Sequence, residues 1–486
     1  MTTLNDYRDE RLRKLGQIRE LGINPYPAKS HRNTKIATIL DHFTEKDGQE
    51  VCIAGRIVAI RAFGKIAFVK LRDYTGEVQI FMEKSDTVAP EMFGVKQLKL
   101  LDTGDFIEAT GKVGKSSTGE ISVFANEIRL LTKSLRPLPG YDGLTNKEER
   151  YRRRYVDMNI NPEVRERLVR RSKFWQATRD FMNSHGFIEI NTPVLETTTG
   201  GADANPFVTH MDALDSDYYL RISQELPLKR LLGGGFEKVY DIGPRFRNEG
   251  VDDEHLPEHI AFESYAAYED YEDGMRLYEE MIKYVAKETW GTLKFNVGGF
   301  EVDLDQDWPR IKYADLLRDK FDVDVFNPDR EKMLSILREN GVKVDPSVSD
   351  GRLLDNLWKL IRKTSAGPYW LVEEPLSLSP LAKVSDENPL VTQRFHPIIA
   401  GTEMGNGYSE LNDPLDQLAR FEEQQAMRDS GDDEAQMLDM DFVEMLEYGM
   451  PPACGWGNSE RNFWLLEGVS GREAVPFPII KKRNEE

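Results

Sequence analysis

The sequence predicts an α+β protein with a small N-terminal β-barrel and a larger C-terminal domain of strands and helices. Apolar residues alternate with polar ones from Val51 to about Lys133, which is the period of a strand with one buried face. Beyond residue 160, strand-like and helix-like segments alternate. The run Leu135-Arg-Pro-Leu-Pro-Gly140 has the composition of a linker, so we predict a linker over residues 135–160.

Residues 1–30 predict a basic amphipathic helix. An apolar stripe recurs every three residues and ends at Gly22; its members are Leu12, Leu15, Ile18 and Leu21. The other faces carry Arg8, Arg11, Arg13, Lys14 and Arg19. These cations fit either a solvated helix face or a contact with nucleic-acid phosphates, and the pattern alone leaves both open.

Residues 31–134 predict a small barrel. Short alternating segments begin near Val51, Ala67, Val78, Phe106 and Ile121, and turns such as Asp73–Gly76 separate them. Four or five short strands joined by close turns are typical of a small barrel. A sandwich is the alternative that this pattern leaves open.

The C-terminal region, residues 161–486, begins with a long predicted helix. Asn161 and Pro162 are typical of an N-cap and a first helical position, and Gly186 ends the helix after about His185. The segment from Gly186 to Pro193 is predicted to be extended. Further helices are predicted near residues 310–320, 330–340 and 351–364, from Asp413 to Gly431, and from Asp441 to Tyr448.

The net charge of the chain limits how it could bind nucleic acid. The 486 residues include 84 acidic and 64 basic ones, so the formal net charge is −20. A protein that binds nucleic acid through an overall positive charge is therefore excluded, although a local surface is not. Arg150–Arg171 is a second basic stretch, and a solvated helix face is again its alternative.

The location of the protein is also constrained. No stretch of 18 apolar residues occurs and the N-terminal segment lacks an apolar core, so we expect neither a membrane span nor a secretion signal. Cys52 and Cys454 are too few for a disulfide framework. These observations together predict a cytoplasmic protein.

The densest group of chemically active side chains lies between residues 245 and 265. Two apolar strands flank this polar segment, so a hairpin could project its side chains into one cleft. Arginine suits phosphate and carboxylate, because its planar guanidinium donates two parallel hydrogen bonds. The alternative is a surface hairpin with ion pairs worth less than ~1 kcal/mol each. The group comprises Arg245, Arg247, Asn248, Glu249, His255, Glu258, Glu263 and Tyr265.

This segment resembles a known family. Phe246-Arg-Asn-Glu-Gly250, with the downstream histidine and Glu263-x-Tyr265, is similar to motif 2 of the class II aminoacyl-tRNA synthetases, at about residues 239–265. The long helix and the segment after it resemble motif 1, at about 163–193. Gly455–Arg461 resembles part of motif 3, at about 453–478. The lysine-specific branch is indicated by Leu135–Pro139, Gly200–Phe207, Ser379–Lys383 and Gly405–Asp413.

The resemblance implies a fold and an activity. Residues 31–134 would form a five-stranded OB-fold that binds the tRNA anticodon. Residues 161–486 would form a catalytic domain on an antiparallel sheet flanked by helices, with a helical insertion at about 300–385. The implied reaction activates L-lysine with ATP to lysyl-adenylate and then transfers lysine to the 3′ end of tRNA(Lys). The implied partners are ATP, L-lysine, tRNA(Lys), Mg²⁺ and a second copy of the chain in a homodimer, without DNA or membrane.

By the same resemblance, a set of mostly cationic residues serves the nucleotide. Negative charge crowds the reacting centre, so positive groups and Mg²⁺ must offset it. Arg247 would grip both the α-phosphate and the lysine carboxylate, and Arg461 would bind the γ-phosphate and pack on adenine. Both are implied catalytic residues. The other implied ATP contacts are Glu249, His255, His259 and Glu403.

Lysine recognition requires buried anionic groups, because a desolvated ammonium without a partner is very costly. The resemblance puts Glu225 and Glu263 near the α-amino group. It puts Tyr265 and Glu410 near the ε-amino group, although a charge at a helix N-terminus is the alternative for Glu410. The other implied contacts to lysine are Gly201, Arg247, Asn406 and Tyr408.

The resemblance also assigns anticodon contacts in the barrel. Phe68 would stack on a base, and Arg61 and Gln79 would hydrogen-bond to base edges. A strand phenylalanine that belongs to the core is the alternative for Phe68.

Several positions depart from the usual family residues. His396 stands where a metal-binding glutamate is expected, seven residues before Glu403, although Mg²⁺ prefers oxygen ligands. The metal site would then rest on Glu403 and the phosphates. His259 replaces an adenine-stacking phenylalanine, Asn205 replaces a common arginine, and motif 3 is about one residue short before Arg461.

These departures keep two alternatives beside the lysine enzyme. An aspartyl or asparaginyl enzyme of the same class would require cationic side chains in the pocket, which Glu410 and Tyr265 do not supply. A paralogue that binds RNA without charging tRNA is the second alternative, motivated by His396 and the altered motif 3.

Overall fold

Two compact units make up the chain in the computed structural model. The structure describes residues 4–85, 87–140, 143–250, 252–253, 255–345, 348–430 and 435–481. One unit is Met1–Asn146 with Tyr155–Asn161, and the other is Lys147–Arg154 with Pro162–Glu486. Among the described residues, no helix combines the length and hydropathy that crossing a bilayer requires.

The first unit contains three helices followed by short strands. The helices are α1 (Leu4–Glu20), α2 (Ile36–Asp41) and α3 (Phe43–Lys46). The strands are β1 (Glu50–Phe63), β2 (Ile66–Arg72), β3 (Glu77–Glu83), β4 (Met92–Phe93), β5 (Phe106–Lys115), β6 (Ile121–Phe124) and β7 (Ile128–Thr132), with a 3₁₀ helix at Val95–Leu100.

Five of these strands close the predicted barrel. The order β1-β2-β3-β6-β5 returns to β1, because β1 also pairs with β5. Alternate side chains point inwards and are buried, among them Ile53, Val69 and Ile80. The five-stranded barrel is thus confirmed. The last segment differs from prediction, because a bend divides it into β6 and β7.

Helix α1 buries a different stripe from the one predicted. Leu15 and Ile18 are buried as expected, but Leu12 and Leu21 are exposed and Arg11 is buried in their place. The guanidinium of Arg11 donates to the carbonyl oxygens of Thr103 (2.9 Å) and Ser134 (3.1 Å), which satisfies its charge inside the unit. Lys14 likewise bonds to Asp102 at 2.7 Å. Two of the five cations are therefore structural and not available to phosphates.

The second unit is built on a large sheet with helices. At the boundary between the units lie α4 (Lys147–Arg152) and α5 (Arg154–Ile160), so half of the predicted linker is helical. The elements that follow are α6 (Pro162–Ser184), β8 (Ile188–Glu189), β9 (Leu195–Glu196), β10 (Val208–Met211), β11 (Ser216–Leu220), α7 (Glu225–Gly233), β12 (Lys238–Phe246), β13 (Glu258–Ala267), α8 (Tyr271–Trp290), β14 (Lys294–Val297), β15 (Phe300–Asp303) and β16 (Arg310–Lys312).

The remaining elements complete the sheet and its cover. They are α9 (Tyr313–Phe321), α10 (Arg330–Glu339), α11 (Asp350–Arg362), β17 (Tyr369–Val372), a 3₁₀ helix at Leu376–Leu378, β18 (Arg394–Ile399), β19 (Thr402–Glu403), β20 (Gly405–Ser409), α12 (Pro414–Asp429), α13 (Met440–Tyr448), β21 (Ala453–Ser459), α14 (Arg461–Glu467) and α15 (Gly471–Ala474).

The main sheet has the order β16-β17-β18-β20-β21-β13-β12-β8, with β19 paired to β18. All neighbours are antiparallel except β16 with β17 and β12 with β8. Phe174 of α6 and Tyr278 of α8 share a buried cluster with Phe262 of β13 and Trp456 of β21. The implied antiparallel sheet flanked by helices is confirmed.

The predicted helix ends agree with the caps that the structure contains. Helix α6 begins at Pro162, and Gly186 beyond its C-terminus has a positive φ of 82°. The Asp413 side chain accepts from the backbone N–H groups of Leu415 and Asp416, which starts α12. The end predicted at Gly431 lies outside the described residues.

The segment predicted as a helical insertion, about 300–385, is narrower than expected. Strands β16 and β17 fall inside it and belong to the main sheet. Helices α9, α10 and α11 lie between these two strands and pack around Leu317, Met333 and Leu357. The insertion is therefore the chain between β16 and β17.

The basic stretch at Arg150–Arg171 is neither a solvated face nor a phosphate surface in its helical part. Three arginines of α6 pair with glutamates at or near α14 and α15. The pairs are Arg167–Glu473 (3.0 Å), Arg170–Glu467 (2.5 Å) and Arg171–Glu460 (2.6 Å). They join helix α6 to the segment that contains α14 and α15.

Candidate active site

The candidate site is built on four neighbouring strands of the main sheet. Strands β12 and β13 form a hairpin in which Arg245 lies opposite His259. Strand β21 lies between β13 and β20, so Glu263 and Asn406 both face Gly457. Antiparallel register thus brings residues that are far apart in sequence to one face of the sheet.

Glycines on β21 make room for the site. A Cβ on Gly455 would overlap the Glu410 carboxylate and the Tyr265 ring, and a Cβ on Gly457 would lie 2.9 Å from Cγ of Glu263. The absence of side chains at these two positions lets the neighbouring strands lay long polar side chains across β21.

A cavity of about 360 Å³ opens over this part of the sheet. Twelve of the fourteen residues implied for ATP, lysine or metal line it: Gly201, Glu225, Arg247, Glu249, His255, His259, Glu263, Glu403, Asn406, Tyr408, Arg461 and Tyr265. The other two, Glu410 and His396, do not line it. The structure therefore gathers most of the expected site residues around one space.

One wall of the cavity is cationic. Arg245, Arg247 and Arg461 all line it. The buried Nε of Arg247 has no hydrogen-bond partner among the described residues, which suits a group that awaits an anionic ligand. Arg461 begins α14, directly after β21.

His259 and Arg245 form a pair on this wall. Arg245 Nε donates to His259 Nε2 at 2.8 Å, so that nitrogen must carry a lone pair. Burial, with Arg245 and Arg247 nearby, holds the pKa of His259 well below its usual range. Burial and the charge of Arg247 lower the pKa of Arg245 to about 9. The imidazole at 259 is therefore neutral, as an adenine-facing ring would be.

The opposite wall is anionic. Glu263 accepts from Ser223 Oγ at 2.8 Å and from the Tyr265 hydroxyl at 3.3 Å. Arg245 Nη1 lies 3.5 Å from the same carboxylate. Burial raises the pKa of Glu263, so a cationic ligand would restore its charge. Glu225 accepts a 2.5 Å bond from the Tyr408 hydroxyl.

Glu410 is placed differently from the expectation. It is fully buried behind the cavity, and its carboxylate pairs with the ammonium of Lys229 on α7. The same ammonium lies 2.6 Å from Glu225. Burial raises the pKa of Glu410 to about 8, while Lys229 opposes that rise. Because Glu410 does not line the cavity, it can attract a ligand's ammonium electrostatically from behind the wall. Direct contact would require its side chain or its neighbours to move.

His396 is not placed as a metal ligand. Its Nδ1 lies 3.0 Å from Glu403 and its Nε2 lies 3.5 Å from Glu374. Although burial opposes protonation, these two carboxylates raise the pKa of His396 to about 9. In this arrangement the protonated ring lies as a cation between two carboxylates.

The remaining predicted contacts lie at the mouth and floor. Glu249 and His255 are exposed on the loop between β12 and β13, where His255 Nδ1 lies 2.9 Å from Asp252. There is no room for a side chain at Gly201, because a Cβ there would lie 2.7 Å from Cβ of Glu225. The backbone of Asn205 accepts from Asn248 N–H at 2.7 Å, which ties the loop to the cavity rim.

The barrel, taken by itself, presents the predicted anticodon residues on neighbouring strands. Arg61 faces Phe68 across β1 and β2, and Gln79 lies on β3. Phe68 is half-buried and belongs to a row of rings with centroids 5.3–6.4 Å apart. The row contains Phe63, Phe68, Phe81 and Phe124. This row of rings lies outside the buried core of the barrel.

Lys229 and Arg394 are two charged residues at the site that were not predicted from the sequence. Lys229 was overlooked because a lysine in an amphipathic helix is usually exposed, yet its spacing of four from Glu225 signals a pair. Arg394 lines the cavity and bonds to Glu374 at 2.7 Å. Arg394 lies two residues before His396, so the two side chains share one face of β18. This two-residue period of a strand is the signal from which Arg394 could have been predicted.

Comparisons with known proteins agree with this geometry. Residues 146–481 match the family described as tRNA synthetases class II (D, K and N). Residues 51–131 match the family described as an OB-fold nucleic acid binding domain. The two matches cover the two units separately.

Individual relatives are similar over nearly the whole chain. A lysine–tRNA ligase of Fervidobacterium nodosum is 44% identical over 99% of this chain and 95% of its own length. Lysine–tRNA ligases of Thermotoga maritima and Moorella thermoacetica are each 42% identical over 99% of this chain, and over 97% and 99% of their own lengths.

Proposed function

This chain belongs to the class II tRNA synthetases of the aspartate, lysine and asparagine group, and on that premise we propose how its cavity serves catalysis. The function is that of an ATP-dependent lysine–tRNA ligase, as in relatives 42–44% identical over nearly full length. The observation that carries the residue assignment is a single cavity lined by the Arg247 guanidinium and by the carboxylates of Glu225 and Glu263.

In the first reaction, a lysine carboxylate oxygen bonds to the α-phosphorus of ATP, and the bond to the bridging oxygen breaks to release pyrophosphate. Arg247 is the residue that holds both reactants, because its Nε lacks a partner and its fork can bind two oxygens. Holding two anions in line removes part of the entropic barrier. Arg461 binds the γ-phosphate, His259 lies against adenine, and Glu249 and His255 reach the nucleotide from the loop.

Lysine is recognised by the anionic wall. Glu225 and Glu263 receive its ammonium groups, and Tyr265, Tyr408, Asn406 and Gly201 shape the space around them. An apolar amino acid would leave buried carboxylates unpaired, and sites of this type reject such analogues strongly. A substrate with an anionic side chain would meet repulsion, which disfavours the aspartyl alternative, and the neutral amide of asparagine would leave a buried carboxylate without a cation.

Mg²⁺ accompanies ATP in this proposal and would offset phosphate charge when bound. Glu403 is the carboxylate that fits it, because it lines the cavity and His396 with Arg362 and Arg394 lowers its pKa to about 2 despite burial. Among the described residues there is no cluster of three ligating side chains, so phosphate and water oxygens would complete the coordination.

The second reaction transfers lysine to the 3′ end of tRNA(Lys). The outer face of the barrel, with Arg61, Phe68 and Gln79, is the proposed anticodon surface. A cytoplasmic location follows from this role, since the tRNA pool used in translation is there.

A homodimer is also part of the proposal. Several apolar side chains of the second unit are exposed on or beside α6 and the sheet β10-β11-β9, such as Val169 (50%) and Val208 (59%). A monomer rarely leaves so many large apolar side chains in water. The others are Ile188, Leu195 and Leu214.

Amino-acid-dependent exchange of pyrophosphate into ATP, measured across a panel of amino acids, tests the function. We expect exchange with lysine at least about 100-fold above aspartate, asparagine and leucine. The Arg247→Ala variant should lose about 100-fold or more, as expected when one preorganised donor at a developing charge is removed.

The matched control is Arg276→Ala, because Arg276 is an exposed arginine paired only on the surface of α8. It should leave exchange unchanged. Exchange supported by aspartate alone would refute the lysine assignment. Strong tRNA binding without any exchange would favour the RNA-binding paralogue.

A further inference from the structure

The rear of the amino-acid pocket contains a lysine of the chain itself. Lys229 lies on α7, four residues after Glu225, and its side chain is fully buried. Its ammonium pairs with Glu225 at 2.6 Å and with Glu410. A buried ammonium is tolerated only when it is paired in this manner.

Aromatic rings complete the surroundings of this ammonium. Its nitrogen lies 5.3 Å from the centroid of Tyr408, 5.9 Å from Phe442 and 6.0 Å from Tyr265. Tyr408 and Tyr265 also line the cavity, whereas Lys229 does not. The chain therefore places its own alkylammonium group behind the wall that faces the ligand.

Lys229 fixes the orientation of Glu225. The bonds from Lys229 and from the Tyr408 hydroxyl both end on Oε1 of Glu225. With that oxygen occupied twice, the second oxygen of this cavity-lining carboxylate is the one available to a ligand. Loss of the ammonium would release Glu225 from one of its two anchors.

Lys229 also sets the charge of the pocket. When all four groups are ionised, the carboxylates of Glu225, Glu263 and Glu410 and the ammonium of Lys229 carry a net charge of two negative units. Lysine presents two ammonium groups to these carboxylates, and its own carboxylate is left to the arginines of the cationic wall, Arg245 beside Glu263 among them. Without Lys229, the neighbouring carboxylates of Glu225 and Glu410 would share a proton, because two close buried carboxylates do not both ionise.

We propose that Lys229 is a positioning residue that determines the pocket's affinity and specificity for lysine, by holding Glu225 in its orientation and by favouring the ionised form of Glu410. The inference rests on the proposed function. Lys229 does not contact the substrate or the nucleotide. Its removal must therefore act on lysine binding and leave ATP binding largely intact.

The test is the Lys229→Met variant of the full chain in lysine-dependent pyrophosphate exchange. At pH 7.5 we expect the KM for lysine to rise at least 10-fold while the KM for ATP changes less than 3-fold. The lysine KM of the variant should fall more steeply with rising pH than that of the wild type, since a shared proton must now leave. Lys229→Arg, which keeps the charge, should recover most of the lost affinity.

Lys133→Met is the matched control, because Lys133 is also fully buried and bonded to two carboxylates, those of Asp102 and Asp105, but in the first unit. It should leave both KM values unchanged. If Lys229→Met does not fold, Lys229→Gln takes its place with the same expectation, because it keeps hydrogen bonding without the charge.

The outcomes separate the two claims. An unchanged or lower lysine KM in a folded neutral variant overturns the role of Lys229 and leaves the function standing. Equal rises in the lysine and ATP KM values, with no difference in pH profile, overturn it as well and indicate general damage. A wild-type enzyme without lysine-dependent exchange overturns the function and this inference together.

Discussion

Glu410 is the residue through which lysine binding should depend on pH. Its pKa is raised to about 8, mainly by burial, and Lys229, Glu225 and Glu263 are the charged groups that act on it. Burial disfavours the ionised form and the Lys229 ammonium favours it, so the ionised fraction of this carboxylate, which attracts an ammonium, grows as the pH rises. The pocket therefore gains negative charge as the pH rises.

We expect the lysine KM in pyrophosphate exchange to fall several-fold between pH 7 and pH 8.5, with a ceiling of about tenfold per pH unit for one titrating group. Glu410→Gln serves as the control, because it removes this titration but not that of the substrate's own amino group. The variant should show a clearly weaker pH dependence of the lysine KM over the same range. A wild-type profile that matches the variant would contradict the prediction.

The residues of the site were predictable to different degrees. Arg247, Glu263 and Tyr265 belong to one short continuous motif, so the sequence alone indicates them. All three line the cavity. Glu410 and His396 were assigned by the same resemblance but face other partners, Lys229 and the Glu374–Glu403 pair. Burial partners of this kind are set by tertiary packing, which the sequence does not display.

The outer face of the barrel is the element that we propose recognises tRNA. Phe68 lies between Phe63 and Phe81, at centroid distances of 6.4 and 5.3 Å, and is only half-buried. Its ring thus makes edge-to-face contacts with both neighbours and remains partly exposed. Stacking on such a ring contributes about 1–3 kcal/mol per base.

Phe68→Ala should raise the KM for tRNA(Lys) in aminoacylation by about 5- to 100-fold, in line with that energy, and leave pyrophosphate exchange unchanged. Phe326→Ala is the control, since Phe326 is an exposed phenylalanine of the other unit. It should affect neither assay. An equal loss in both assays for Phe68→Ala would mean that the ring is structural.

Elements with strong local signals were predictable, and their pairing was not. The start of α6 follows from Asn161 and Pro162, and the barrel strands follow from alternation. Helix α1 illustrates the limit, because its buried face includes Arg11. Hydrogen bonds to the carbonyl groups of Thr103 and Ser134 offset the desolvation of this guanidinium, and both groups are about 100 residues away along the chain.

At the scale of the whole molecule, the exposed apolar residues of the second unit predict self-association. A glutamate at Val208 would have to be desolvated in a dimer interface, which costs several kcal/mol without a partner. The residue lies on β10, an edge strand of its sheet.

Val208→Glu should therefore shift the sedimentation mass from about twice 55.8 kDa towards 55.8 kDa and reduce exchange activity at low protein concentration. Leu390→Glu is the control, because Leu390 is equally exposed (54%) on a loop outside this face. It should leave the mass unchanged. A wild-type chain that sediments as a monomer at micromolar concentration would contradict the homodimer.

The glycines at 455 and 457 limit how this enzyme can acquire a new amino-acid preference. At these two positions the pocket floor is main chain, and the Cβ of an alanine would collide with Tyr265 or Glu263. Few substitutions are therefore tolerated at either glycine. Altered substrate ranges must instead arise in the walls, at positions such as 225 and 408, or directly behind them at position 229. A library of variants for charging unnatural amino acids should keep Gly455 and Gly457 unchanged and randomise those three positions.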